Sequence, residues 1–260
     1  MTGHQRLSGQ LRRADVAGAE SMVLRWADVE PTRGAVVLPA RVGPTRLTIR
    51  GGTDAPRWLA EQTGTVPVVQ PLTERLLGHA ARWWHPAYVE AWAALHVRLA
   101  ATFDTVARMT EVTLGCPHGH TGDLWDRQGG LRLNREQYVL AGWTAEDDTA
   151  ATTAMIEAQE KAWPNTTQTL WVGPADHLTL SGVTYRMEPA LVLAERLASN
   201  MGDRLLLGAS RRLSPDPAFA DALARLARAT GPRAALSTTD HDQWPTVLDP
   251  HGIAVTSTET

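Results

Sequence analysis

The segment Leu24-Arg25-Trp26-Ala27-Asp28-Val29-Glu30-Pro31, closed by Gly34, holds the densest group of side chains able to do chemistry. It reads as a short buried strand, Met22 to Leu24, whose carboxyl end turns abruptly polar and aromatic. An arginine at a strand end can hold a carboxylate or a sugar hydroxyl bidentately. For Arg25 the competing role is an ion pair with Asp28 or Glu30. Trp26 offers a large flat face and one N–H donor, a combination suited to stacking on sugar rings, although core packing is the commoner fate of a tryptophan. The chain favours this residue, with 10 Trp against 3 Tyr and 2 Phe.

Other reactive residues point away from other chemistries. His118-x-His120 beside Cys116 supplies three donors, but a zinc site wants three or four at recognisable spacing and no second cluster follows. A histidine loop at a pocket mouth is the expectation there, with no metal. Ser210, Ser237 and Thr238 lack a nucleophile-elbow pattern. Gly51-Gly52 is followed by no lysine and is not a phosphate loop. No cofactor is expected. The formal net charge is −3, and Lys161 is the one lysine among 25 basic residues, so nucleic acid is not an expected partner. A single cysteine excludes an internal disulfide, and no apolar run reaches membrane-spanning length. Met1 to Asp15 has no apolar core of the kind a secretory signal needs. A cytoplasmic or virion-associated location is therefore expected.

Strand-like and helix-like stretches alternate, which argues for an α/β fold with a parallel sheet. Strands are expected at Met22–Arg25, Leu47–Arg50, Glu111–Leu114, Thr167–Val172, Arg204–Leu207, Ala234–Ser237 and Ile253–Val255. A loop is expected from Gly64 to Gly78, which contains Pro67 and Pro71. His85-Pro86 opens a helix whose apolar positions Tyr88, Trp92, Leu95, Leu99 and Phe103 repeat close to every 3.6 residues. Further helices are expected at Arg135–Leu140, from an N-cap at Thr144 to Lys161, at Glu188–Ser199 and at Pro217–Ala229, with a short turn near Trp244–Leu248. No repeat or linker divides the chain. One domain over residues 1–260 is expected, with 1–20 its least defined part.

The pattern "strand, then R-W-x-D-x-E-P-x-x-G" resembles the second strand of retaining glycoside hydrolases of the β-galactosidase-like barrel type. Gly51-Gly52-Thr53-Asp54-Ala55-Pro56-Arg57-Trp58, after Leu47–Arg50, looks like the turn after the third strand of those barrels. Trp84 to Trp92, Leu99 to Asp104, Ala141 to Asp148 and Ala162 to Thr166 are similar to later segments of the same group, so the likeness covers roughly residues 20–240. The fold it implies is a reduced TIM (β/α)8 barrel. Seven strands are clear, the first (residues 7–14) is weak, and the helix between the second and third is missing because Val36–Pro44 is short and carries two prolines.

Such enzymes need two carboxyl groups flanking the scissile bond, about 5–5.5 Å apart when configuration is retained. The resemblance places the acid/base, a glutamate, shortly after the fourth strand. Here Gly115 to Trp125 contains no Glu, and Asp123 stands nearest, one methylene shorter. The nucleophile should close a late strand, where Asp240, Asp242 and Glu259 are the choices. Glu30 is implied to be mainly structural. Trp26, Trp58 and Trp125 would be sugar platforms, with Arg25 a further binding residue. The expectation is a non-catalytic or weakly active barrel that recognises carbohydrate or serves as a structural component, for example in a bacteriophage tail with other virion proteins as partners. The alternative is a retaining hydrolase of β-linked oligo- or polysaccharides, with Asp123 and either Glu259 or Asp240 as its acids.

Overall fold

The computed structural model describes residues 20–37, 45–70, 73–105, 109–115, 127, 131–173, 175–186 and 188–209. Five strands form one sheet: β1 (Glu20–Arg25), β2 (Thr45–Arg50), β5 (Met109–Leu114), β6 (Thr167–Val172) and β9 (Leu205–Ala209). They lie side by side in that order and every neighbouring pair is parallel. Each new strand is thus added to the same edge. Right-handed crossovers then send the connections over one face, which is the singly wound arrangement; a doubly wound sheet would reverse direction midway. The protein is a mixed α/β structure built on this parallel sheet. Residues 7–14, Ala234–Ser237 and Ile253–Val255, where further barrel strands were expected, lie outside the described residues, as do Pro217–Ala229 and Trp244–Leu248.

The helix face of the sheet is apolar. Leu47, Ile49 and Val112 join one buried cluster with Trp92, Leu95 and Leu99 of α3 (Pro86–Phe103) and Met155 of α5 (Ala145–Ala162). All five residues expected to face inward from α3 are buried. The His85 side chain accepts from the Ala87 amide at its start and Pro86 fills the first turn. Thr144 caps α5 through the Asp147 amide, 3.0 Å away. Helix α4 (Arg132–Leu140) and helix α6 (Glu188–Met201) complete the set anticipated over these residues.

Two antiparallel hairpins and two short helices lie outside the expected pattern. The stretch read as a loop folds as β3 (Thr65–Val69) paired with β4 (Leu76–Ala81), with a register shift between Val68 and Val69. Pro67 sits within β3; a two-stranded ribbon tolerates it because each strand keeps one edge that needs no donor. Asn134 of α4 holds this ribbon at Val69, accepting from its amide at 2.8 Å and donating to its carbonyl at 3.0 Å. The second hairpin joins β7 (Ala175–Thr179) to β8 (Gly182–Arg186) directly after β6. A four-residue turn of helix, α1 (Trp26–Val29), follows β1, and α2 (Arg57–Thr63) follows the glycine-rich turn.

Buried polar links tie these layers together. The Arg127 guanidinium, fully buried, donates to both oxygens of Asp148 and to Thr152, and stands 5.5 Å from the Trp83 ring centroid. Trp83 donates its indole N–H to the same Asp148 at 2.6 Å. His96 is enclosed between Trp92 and Trp163, and its Nδ1 accepts from Trp163 Nε1 at 3.1 Å. Burial lowers its pKa to about 3. The unfolded chain therefore takes up a proton at this histidine near pH 6.5 that the folded chain refuses, so stability rises with pH between about 3 and 6.5. On acidification from pH 7 to pH 5, His96 should cost about 2 kcal/mol of stability. Urea unfolding at the two pH values checks this, and His96→Gln should flatten that slope.

Candidate functional site

Alternation along the strands sends Leu47, Ile49 and Val112 to the helices and their neighbours to the opposite face. On the three central strands that opposite face is polar, with Val23 of β1 and Leu206 of β9 at its edges, and it is arranged in rows. In the lowest row Arg46 pairs with Glu111, Nε to Oε2 3.1 Å, and Glu111 accepts in turn from the Thr169 hydroxyl. Burial raises the Glu111 pKa, against the lowering effects of Thr169 and Arg46. One row higher, the Thr48 and Thr113 hydroxyls meet at 2.8 Å. The top row, at the carboxyl ends of the strands, has Arg25 in register with Arg50 and Trp171 in register with Gly208.

Arg25 and Arg50 converge on one carboxylate. Arg25 Nε donates to Asp54 Oδ1 at 2.8 Å, and Arg50 Nη2 stands 2.8 Å from Asp54 Oδ2. Asp54 is only 9% exposed, whereas the Arg25 side chain remains 52% exposed. Asp28 is 4.0 Å from Arg25, too distant and too solvated to compete. The partner of Arg25 is thus neither of the two acids expected from its own segment. It comes from the turn Gly52–Asp54, which is fixed from below: the Gly52 amide donates to the Tyr88 hydroxyl at 2.9 Å. The arrangement leaves a half-exposed guanidinium, oriented by a buried anion, at the place where α/β sheets bind ligands.

Trp26 is not a platform. It is 0% exposed, ringed edge-on by Trp58, Tyr88 and Trp92 at 6.4, 5.2 and 5.3 Å, and no face is left for a sugar. Its indole donates to Glu30 Oε2 at 2.9 Å. Glu30 Oε1 accepts from the Gly34 amide at 2.6 Å and from Arg98. Gly34 has φ +81°, so the turn that aims its N–H at the carboxylate is open to glycine and strained for other residues. The E-P glutamate is structural, as the resemblance implied. Trp58 is half-buried; its indole donates to the Glu30 carbonyl at 3.2 Å and the Arg33 guanidinium lies 5.8 Å from its ring centroid. Asp123, Asp240, Glu259 and Trp125, together with Cys116, His118 and His120, lie outside the described residues.

A separate cleft of about 370 Å³ opens between the start of α5 and the β7–β8 hairpin, lined among others by Glu146, His177 and Arg186. Its buried acid, Asp176, accepts from the Arg127 amide at 3.1 Å and so serves the Arg127 anchor. Among the described residues no group of three potential ligands could hold a metal, and no helix is long and apolar enough to cross a membrane.

Sequence reasoning passed over Arg50, Asp54 and Trp171. A signal for the first two was present: two strands each ending in arginine, one followed by an acid four residues later. No family model matches the chain, and no curated protein matches it. Among solved structures it is distantly similar to endo-glycoceramidase II from Rhodococcus sp., seen in two complexes. In the complex with a cellobiose-like imidazole the identity is 13% and the TM-score 0.36, with 85% of this chain and 65% of that chain covered. In the complex with a five-membered iminocyclitol the identity is 14% and the TM-score 0.36, with 90% and 67% covered. A morphinone reductase mutant with tetrahydroNAD follows at 17% identity and TM-score 0.29, with 81% and 60% covered. Likeness at this level bears on neither the fold nor the chemistry.

Glu30→Gln tests the structural role of that glutamate. A carboxamide has one acceptor oxygen, so whichever way it turns, its NH2 confronts the donors on one side. The expected loss is about 2–3 kcal/mol in denaturant unfolding; a change below about 0.5 kcal/mol, typical of a neutral surface site, would contradict it.

Proposed function

We propose that the protein is a pared-down barrel of the glycosidase type that recognises carbohydrate at the carboxyl ends of its parallel strands without turning it over. The observation that carries this reading is Arg25, half-exposed on the rim of a polar sheet face and aimed by the buried Asp54. A fixed guanidinium of this kind can grip a pair of sugar hydroxyls or a sugar carboxylate. The same reading covers service as a structural component of an assembly such as a bacteriophage tail, where a cell-wall glycan must be held and not cut.

Turnover is disfavoured by the way the acids on this rim are used. Both Asp54 oxygens are committed to guanidiniums, and both Glu30 oxygens to Trp26, Gly34 and Arg98. Neither is free to protonate a leaving group or attack an anomeric carbon, and the segment after β5 has Asp123 where a glutamate would be expected. One observation favours the alternative of a retaining hydrolase acting on β-linked sugars. Arg127, four residues beyond Asp123, is clamped on Asp148 of α5, so the chain is held against that helix a short way past Asp123. In that reading Asp123 is the acid/base and Glu259 or Asp240 the nucleophile.

Calorimetric titration with β-linked gluco-, xylo-, galacto- and N-acetylglucosamine tetrasaccharides tests the proposal. Binding of at least one is expected, with Arg25→Ala weakening it about 10- to 100-fold, the scale of a lost charge-assisted hydrogen bond. Release of a chromogenic aryl sugar that disappears in Asp123→Asn would overturn the non-catalytic reading in favour of the hydrolase.

A further inference from the structure

We infer that Trp171 is the aromatic platform of this strand-end site, taking the less polar face of a pyranose ring. The inference rests on the carbohydrate reading and adds to it a residue chosen by neither motif nor resemblance. Three independent features single it out.

The first is its row. Thr169, two residues earlier, meets Glu111 on the polar face of the sheet, and alternation returns Trp171 to that face at the end of β6. Gln168, Leu170 and Val172, the residues between, are buried on the opposite side. The second feature is its neighbours. Gly208 is its register partner on β9, and on the other side the ladder ends at the Leu114–Leu170 pair, with Gly115 the next residue of the chain. Gly208 therefore sets no side chain beside the indole on β9 at that level. The third is the way its ring is used. Trp26, Trp58 and Trp92 form one edge-on aromatic cluster, Trp83 and Trp84 close on Tyr138, and Trp163 meets His96. Trp171 belongs to none of these, is half-buried, and among the described residues its N–H has no hydrogen-bond partner.

A flat, half-buried ring flanked by Gly208 leaves space on that side for a ligand ring to lie against it, and its N–H remains for a hydroxyl. Carrying the Thr48–Thr113 contact two residues on puts Arg50 level with Gly115, and so in the row of Trp171. Two strand spacings separate β2 from β6, about 10 Å. The arginine pair and the indole thus bracket a span suited to two sugar rings, one held by its hydroxyls or carboxylate and the next by its apolar face. The substrate class implied is a β-linked chain whose flat, equatorially substituted units can present such a face.

The test uses the full chain and the same four tetrasaccharides. Trp171→Ala should weaken binding at least about tenfold while Arg25 is intact, and Trp171→Phe should recover most of that loss, since a phenyl ring still stacks. In wild-type protein, sugar should shift the indole N–H resonance assigned to Trp171 by its absence in Trp171→Phe; this readout does not depend on the alanine variant folding. If a sugar binds, Arg25→Ala loses it, and both Trp171→Ala affinity and the Trp171 resonance stay unchanged, the platform is wrong and the carbohydrate reading stands. If none of the four sugars binds the wild type, both fall together.

Discussion

The parallel register of five strands is the constraint on which everything else depends. Because side chains alternate with a period of two, a slip of one residue on any strand would carry its apolar residues off the helices and onto the polar face. Here the sorting holds through the three central strands: Leu47, Ile49, Val112 and Leu170 are buried on one side, while Arg46, Thr48, Glu111, Thr113 and Thr169 belong to the other; on the edge strands Val23 and Leu206 are apolar exceptions on the polar side. The one irregularity between β2 and β5 falls between Thr45 and Arg46. It is the step at which Arg46 comes opposite Glu111, so the shift in the ladder and the buried ion pair are a single feature. Such a pair is a weak contributor to stability, because desolvating both charges offsets most of their attraction. Its clearer consequence is positional, since any other register would leave two buried charges unmatched.

Burial separates the arginines that hold the fold from the one left exposed at a strand end. Arg127 has no exposed side-chain surface, and its guanidinium nitrogens are spent on Asp148 and Thr152. Arg98 is fixed on Glu30. Arg25 uses only Nε on Asp54 and remains half-exposed at the end of β1. A ligand reaching Arg127 would have to break a buried pair, at a cost of several kcal/mol. One reaching Arg25 displaces water. The difference is one of position: Arg98 lies on a helix and Arg127 packs against one, whereas Arg25 stands where its strand ends.

Much of this was readable in advance. Long periodic helices declared themselves, because α3 and α5 have both an apolar stripe and a capping residue, His85-Pro86 and Thr144. The five strands declared themselves by short apolar runs. The hairpins did not. β3 contains a proline and β7 opens Ala-Asp-His, so each breaks the composition rule for strands, and only pairing with a neighbour and support from α4 make them ribbons. Trp26 was misjudged for a related reason. At the end of a strand it has the look of a rim residue, yet a single turn of helix begins at that residue and swings the indole inward. The spacing of Trp26 and Glu30, four residues apart, contained the answer: on a helical turn it brings a donor and a carboxylate together. Arg25, one residue earlier and still on the strand, keeps the outward role.

The tryptophans follow the same division. Those in or beside helices (Trp26, Trp83, Trp92 and Trp163) are carried into the core, where ring contacts use their faces and the indoles of Trp26, Trp83 and Trp163 donate to Glu30, Asp148 and His96. Trp171 obeys the two-residue period of a strand, so the sheet and not a helix decides where it points, and it is set beside Gly208 in place of aromatic partners. One residue type, heavily used, thus takes two physically different positions. The backbone period at each position decides which.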